Sequence, residues 1–179
     1  MLAALKAMPA HAVVVLHACC HNPTGVDLDA AQWDAVVTAV RERDLVAFLD
    51  MAYQGFGDGI EADALALREF ADSGLDFFVS SSFSKSFSLY GERVGALSIV
   101  TADRDETARV TSQVKRVIRT SYSNPPTHGA AIVASVLSTP ALRQLWEKEL
   151  AGMRDRIRAM RADLVRKLRE SGVTQDFSF

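Results

Sequence analysis

Cysteine is nearly absent from this chain. It has two, Cys19 and Cys20, and they are neighbours. Adjacent cysteines rarely close an ordinary disulfide, and one pair is no framework, which excludes a disulfide-stapled domain. The plain reading is a pair of reduced thiols in a cytoplasmic protein. His17 and His21 flank the pair, but H-x-C-C-H lacks standard zinc spacing, and no metal is expected. An excess of either charge is also missing. With 20 Lys and Arg against 22 Asp and Glu, the net charge is −2, so nothing electrostatic points to nucleic acid or an anionic membrane. No apolar run reaches bilayer-spanning length. The opening MLAALKAMPAHAVVV has one lysine and no basic leader, and its apolar run leads into a strand, unlike a signal peptide. Internal repeats and low-complexity segments are lacking too.

What remains is the composition of a globular domain, 49% hydrophobic and 23% charged over 179 residues. AVVVLHA (12–18) reads as a buried strand, followed by the turn HNPTG. Asp27 or Asp29 caps the next helix, where Trp33, Val36, Val37 and Val40 fall on one face. LVAFLD (45–50) is a second strand, and QGFGDG (54–59) a glycine-rich loop. A helix over 62–72, with Leu65, Leu67 and Phe70 as apolar positions, stops at Gly74. DFFVSSS and VGALSIV (94–100) are the third and fourth strands. Helices are predicted over 103–119 and 127–138. Thr139 as cap and Pro140 at the first helical position open a long helix. Its predicted stripe is Leu142, Leu145, Trp146, Met153, Ile157, Met160, Leu164 and Leu168, with Gly152 as a weak point. TQDFSF reads as a strand just beginning. Alternating strands and helices predict an α/β fold with parallel strands, and the apolar strands fit burial on both faces.

In such sheets ligands collect at the carboxyl ends of the strands. The first strand end supplies Asn22, the second Asp50 and Tyr53, the third Ser82 and Lys85, and Arg93 begins the next strand from that side. Taken singly, each has a plainer reading: Asn22 as a turn residue, Asp50 as a turn cap, Tyr53 as packing, Ser82 as a turn hydroxyl, Lys85 as a solvated lysine, Arg93 as a surface ion-pair partner. Their combination suits pyridoxal phosphate. That cofactor needs a lysine for its aldehyde, an acid on its pyridine nitrogen, donors to its phenolate oxygen, and hydroxyls with an arginine for its phosphate.

The stretches HACCHNPTGVDL, FLDMAYQGF, SSSFSKSFSLYGERVG and IRTSYSNPP resemble those of class I aminotransferases, the aspartate and aromatic amino-acid branch of the pyridoxal-phosphate enzymes. The similarity continues through WEKELAGMRDRIRAMR and DFSF. The resemblance implies the central part of the large domain of a fold-type I enzyme, a mostly parallel sheet with flanking helices and a long C-terminal helix. Residues 1–138 would belong to the large domain, and 139–179 to an interdomain helix and the start of a small domain. It implies that Lys85 holds the cofactor covalently and moves the substrate α-proton, and that Asp50 pairs with the pyridine nitrogen. Tyr53 and Asn22 would bond the phenolate oxygen, and Ser82 and Arg93 the phosphate. Arg119 matches an arginine that reaches across a homodimer to the distal carboxylate of a substrate; its plainer reading is a cation at a helix C-terminus. The implied activity, part of amino-acid metabolism, is ping-pong transamination between an aromatic or dicarboxylic amino acid and a 2-oxo acid such as 2-oxoglutarate. FSLYGERVG and YQGFGDG lie nearer the aromatic branch, with the aspartate branch as alternative.

The family pattern also contains parts with no counterpart here: a glycine-threonine phosphate loop, an aromatic residue stacked on the cofactor, and a C-terminal arginine for the α-carboxylate. The chain is therefore expected to be a middle segment and a poor catalyst alone. The competing readings are another fold-type I pyridoxal enzyme, a non-catalytic fragment, and a nucleotide-binding domain. The last lacks a glycine-rich phosphate loop between strand and helix.

Overall fold

The computed structural model describes residues 1–177. Among these residues four strands form one sheet in the order β1 (Val13–His17), β2 (Val46–Met51), β3 (Phe77–Ser82), β4 (Gly95–Val100). β1, β2 and β3 are mutually parallel, because α2 (Ala30–Glu42) and α3 (Leu65–Ser73) carry the chain back between them. No helix separates β3 from β4, so the chain returns reversed and β4 is antiparallel. The mostly parallel α/β sheet is thus as predicted, with the antiparallel strand at one edge.

Local signals explain the element ends. Asp29, not Asp27, caps α2. Its carboxylate accepts from Gln32 N while the Gln32 side chain accepts from Asp29 N, a capping box worth about 1 kcal/mol. Gly74 ends α3 in the left-handed region, φ 73°. The predicted helix over 62–72 begins as a short 3-10 turn, Ala62–Ala64. After α5 (His128–Ser138), Thr139 precedes α6 (Pro140–Glu170) but makes no side-chain cap bond, and α6 passes Gly152 unbroken.

The core lies on one face of the sheet. Val14, Leu16, Ala47, Leu49, Phe77 and Val79 point at Trp33, Val36, Val37 and Val40 of α2 and at Phe70 of α3. The Phe70 ring sits between Trp33 and Phe77, with centroid separations of 6.4 and 5.5 Å. Each such side chain contributes about 2–3 kcal/mol by leaving water.

Four expectations are corrected. The N-terminal run does not continue into β1: Leu2–Ala7 form helix α1, which buries Leu5 and ends before Pro9. The strands are not all buried on both faces. Val13 and Val15 of β1 are 59% and 62% exposed, and Gly95 to Ser98 of β4 are exposed. The reason is that α2 and α3 cover one face only. On the other, α4 (Arg104–Ser121) leaves an apolar cavity of about 1220 Å³ lined by Phe78, Leu97, Ile99, Val110, Val114 and Val117. The stripe predicted on α6 is largely solvated: Leu142, Leu145, Ile157, Met160 and Leu164 are exposed, and Leu150 is the residue the helix buries fully. Residues 174–177 form no strand, and Ser178 and Phe179 of the predicted final strand lie outside the described residues.

Candidate active site

The register of the parallel strands lines up polar residues at their carboxyl ends. His17 lies opposite Asp50, and Asp50 opposite Ser80. Ser80 Oγ donates to Asp50 Oδ1 at 3.3 Å. His17 Nδ1 is buried with no hydrogen-bond partner among the described residues.

Lys85 stands on a tight turn directly after β3. Ser82 Oγ accepts from Ser84 N at 3.3 Å, Phe83 O from Phe87 N at 3.2 Å, and Lys85 O from Ser88 N at 3.1 Å. Ser84 and Ser86 are buried beside the half-buried lysine. Phe87 meets Phe83 edge-on and stacks on Trp146 of α6. The lysine is therefore presented from a packed turn, and its Nζ sits 4.8 Å from the centroid of the Tyr53 ring. That is cation–π distance.

Asn22 comes from the turn after β1, preceding Pro23 across a cis peptide bond. Asp27 builds this turn: its carboxylate accepts from Cys20 N at 2.7 Å and His21 N at 2.8 Å. Asn22, Tyr53 and Lys85 line one cavity of about 630 Å³, together with Tyr90 and with Arg158 and Arg161 of α6. Asp50, Ser82 and Arg93 stand at the same end of the sheet but do not line that cavity. Arg93, at φ 50°, is exposed and donates to Tyr90 O at 3.0 Å. Arg119 is apart from the group, exposed in the last turn of α4 and bonded to Ser123 Oγ.

Reading the sequence missed the contribution of α6. Arg154, Arg158 and Arg161 recur at i, i+4, i+7, one helical face. Arg154 Nη1 donates to Gly55 O at 3.2 Å, and Arg158 Nη2 to Gly57 O at 2.6 Å, with an ion pair to Asp58. It also missed Asp63, a buried acid whose ligand atoms lie within 4.8 Å of those of Cys19 and Cys20. That trio is packed rather than poised for an ion. Asp63 accepts three backbone N–H groups, and Cys19 is held as a thiol. Its pKa is pushed far above the ordinary thiol value by its hydrogen bond with Cys20, then by burial, then by the neighbouring Cys20, Asp63 and Asp27.

Comparison with known proteins follows the same outline. The family described as aminotransferase class I and II matches residues 1–178. An aspartate aminotransferase of Pseudomonas aeruginosa is 67% identical over the whole chain, and an aromatic-amino-acid aminotransferase of Escherichia coli 51%. This chain spans 45% of the length of each. Among solved structures, an aromatic-amino-acid aminotransferase from Burkholderia pseudomallei, covalently bound to pyridoxal phosphate, superposes with a TM-score of 0.97 at 67% identity. It covers 99% of this chain, which covers 45% of that one. A psychrophilic aromatic amino acid aminotransferase from Psychrobacter sp. B6, cocrystallised with aspartic acid, gives 0.95 at 46% identity, covering 100% of this chain and 45% of its own. A lysine presented at the carboxyl end of a mostly parallel sheet, and a family match over nearly every residue, lead to one conclusion: the chain belongs to the class I and II aminotransferases.

Proposed function

We propose that the chain carries the cofactor-binding part of a pyridoxal-phosphate-dependent aminotransferase that moves an amino group between an aromatic or dicarboxylic amino acid and a 2-oxo acid such as 2-oxoglutarate. The observation that carries the reading is the approach of Lys85 Nζ to the Tyr53 ring in the cavity that Asn22 also lines. The donor set fits the cofactor. A half-buried lysine, a phenol and an amide share the cavity, an acid stands at the adjacent strand end, and buried His17 Nδ1 has polar capacity to spare beside it.

Bound pyridoxal phosphate would supply an electron sink for the substrate α-carbon. Lys85 would hold the cofactor covalently and, once released, move the proton at that carbon. Asp50 would keep a proton on the pyridine nitrogen, and Ser80 Oγ orients its carboxylate. Tyr53 and Asn22 would donate to the phenolate oxygen, and Ser82 and Arg93 would bind the phosphate. We assign residues 1–138 to the cofactor domain and 139–179 to a helix leading into a smaller domain. The assembly we infer is a cytoplasmic homodimer. Arg119, exposed and outside the Lys85 cavity, would serve a neighbouring subunit's substrate carboxylate.

Aromatic preference is the main reading, from the wording of 87–95 and 53–59. Aspartate is the alternative, supported by the 67% identical relative that bears that name. The test is incubation of the 179-residue chain with pyridoxal phosphate, reduction with borohydride, and mapping of the modified peptide. Modification at Lys85, lost in Lys85→Ala, is expected; modification elsewhere, or none, overturns the reading. Binding of tyrosine against aspartate to the pyridoxal-phosphate-loaded chain then separates the branches.

A further inference from the structure

We infer that Asp63 is a positioning residue for Tyr53: its buried carboxylate sets the shape of the loop that presents Tyr53 to Lys85. The inference rests on the reading of the Lys85 site given above and adds a residue to it.

Asp63 lies in the 3-10 turn that follows the glycine-rich loop and is 6% exposed. A buried carboxylate is costly unless compensated. Here the compensation comes from the loop itself. Oδ2 accepts from Gly55 N at 2.7 Å and Gly57 N at 3.0 Å, and Oδ1 from Asp58 N at 2.7 Å. Bonds from amides to an ionised acceptor are roughly twice as strong as neutral ones. The loop is curled around one charge.

Glycine is required where the curl is tightest. A Cβ on Gly57 would stand 2.5 Å from Asp63 Oδ1. Gly55 adopts φ 97°, and a Cβ there would meet Leu150 Cδ2 of α6 at 2.4 Å. With three amides turned inward, the carbonyls of Gly55 and Gly57 face outward, where Arg154 and Arg158 take them. Loop 55–58 is thus gripped by Asp63 inside and by α6 outside.

Tyr53 is the residue from which this curl departs. Its carbonyl accepts from Phe56 N at 3.1 Å and, on the far side, from Cys20 Sγ at 3.8 Å. The first turn of the loop therefore runs from Tyr53 straight into the amides that Asp63 holds. Replacing one carboxylate oxygen by an amide NH2 would turn a donor toward at least one of these N–H groups and weaken the rest by removing the charge, and a loop relieves that by opening to water. Opening frees the backbone of Tyr53 and, with it, the 4.8 Å approach to Lys85.

The experiment uses the 179-residue chain with Asp63→Asn, Gly57→Ala, Tyr53→Ala and the double variant Asp63→Asn/Tyr53→Ala. Gly57→Ala breaks the same link from the loop side and carries both measurements if Asp63→Asn does not fold. Hydrogen exchange reads the loop: amides 55–58 are expected to exchange about tenfold faster in either single loop variant, with those of Leu49 and Val79 little changed. The limiting rate of borohydride-fixed pyridoxal phosphate labelling at Lys85, with its half-saturating concentration, reads the site. Asp63→Asn is expected to lower the limiting rate about fivefold or more, and to lower it no further when Tyr53 is already alanine. An unchanged loop exchange overturns the inference, and so does an undiminished effect of Asp63→Asn in the Tyr53→Ala background, since a purely structural acid acts whether or not Tyr53 is present. Wild-type chain that is never labelled at Lys85 is a different failure. It removes the site reading, and the exchange comparison still decides whether Asp63 shapes the loop.

Discussion

The indole of Trp146 lies nearly flat on the ring of Phe87, centroids 4.6 Å apart and planes 19° from parallel, and its Nε1 donates to Ser86 O at 2.7 Å. One side chain of α6 thus holds the two residues that follow Lys85 in its turn. Stacked aromatics contribute beyond their buried area, and an indole N–H that leaves water needs the partner it finds here.

Trp146→Phe keeps a stacking ring and removes the hydrogen bond. It is expected to cost about 1 kcal/mol in a urea titration, whereas Trp146→Ala, which empties the contact, costs about 3 kcal/mol. Equal losses for the two variants would show that the hydrogen bond alone anchors the turn.

Cys19 gives the fold a dependence on pH. Its folded pKa is raised above the value of the unfolded thiol, first by the hydrogen bond with Cys20 and then by burial. The folded chain therefore keeps a proton that the unfolded chain loses above about pH 8.5. Its contribution is fully present below that pH and is lost as the pH rises above it, at up to about 1.4 kcal/mol per unit. Denaturant titrations between about pH 8 and pH 10 are expected to show a steeper fall for wild type than for Cys19→Ala. Parallel curves would disprove the assignment.

The two outer strands predict self-association. β1 has one hydrogen-bonding edge unpaired among the described residues, and it exposes Val13 and Val15 beside that edge. Such an edge is a template for another chain. Val15→Lys, a charge on the solvated face, is expected to reduce concentration-dependent association in sedimentation velocity by several-fold, leaving the helical circular dichroism unchanged. Undiminished association would place the contact elsewhere, the apolar cavity under α4 being the next surface to probe.

The elements were legible because their causes are local. The spacing of Trp33, Val36, Val37 and Val40 marks a helix face wherever that helix docks, and Gly74 ends α3 through its own backbone freedom. The rim was legible for a related reason: parallel strands joined by helices all finish at one end, so the residues after them gather there without any knowledge of packing. Asn22, Tyr53 and Lys85 do share a cavity.

What the linear chain could not decide was everything set by which surfaces meet. The apolar stripe of α6 reads as a core face, yet most of it is solvated, because periodicity says that a face exists and not what covers it. Asp63 reads as an ordinary acid near a helix start. Only the folded loop turns three amides onto it, since a hydrogen bond depends on distance and direction in space and the sequence records neither. The sequence by itself determined the order of the elements from β1 to α6, the end of the sheet where its polar residues gather, and the family. The tertiary structure alone decided which of the polar residues meet, and which buried charge holds Tyr53 where Lys85 can reach it.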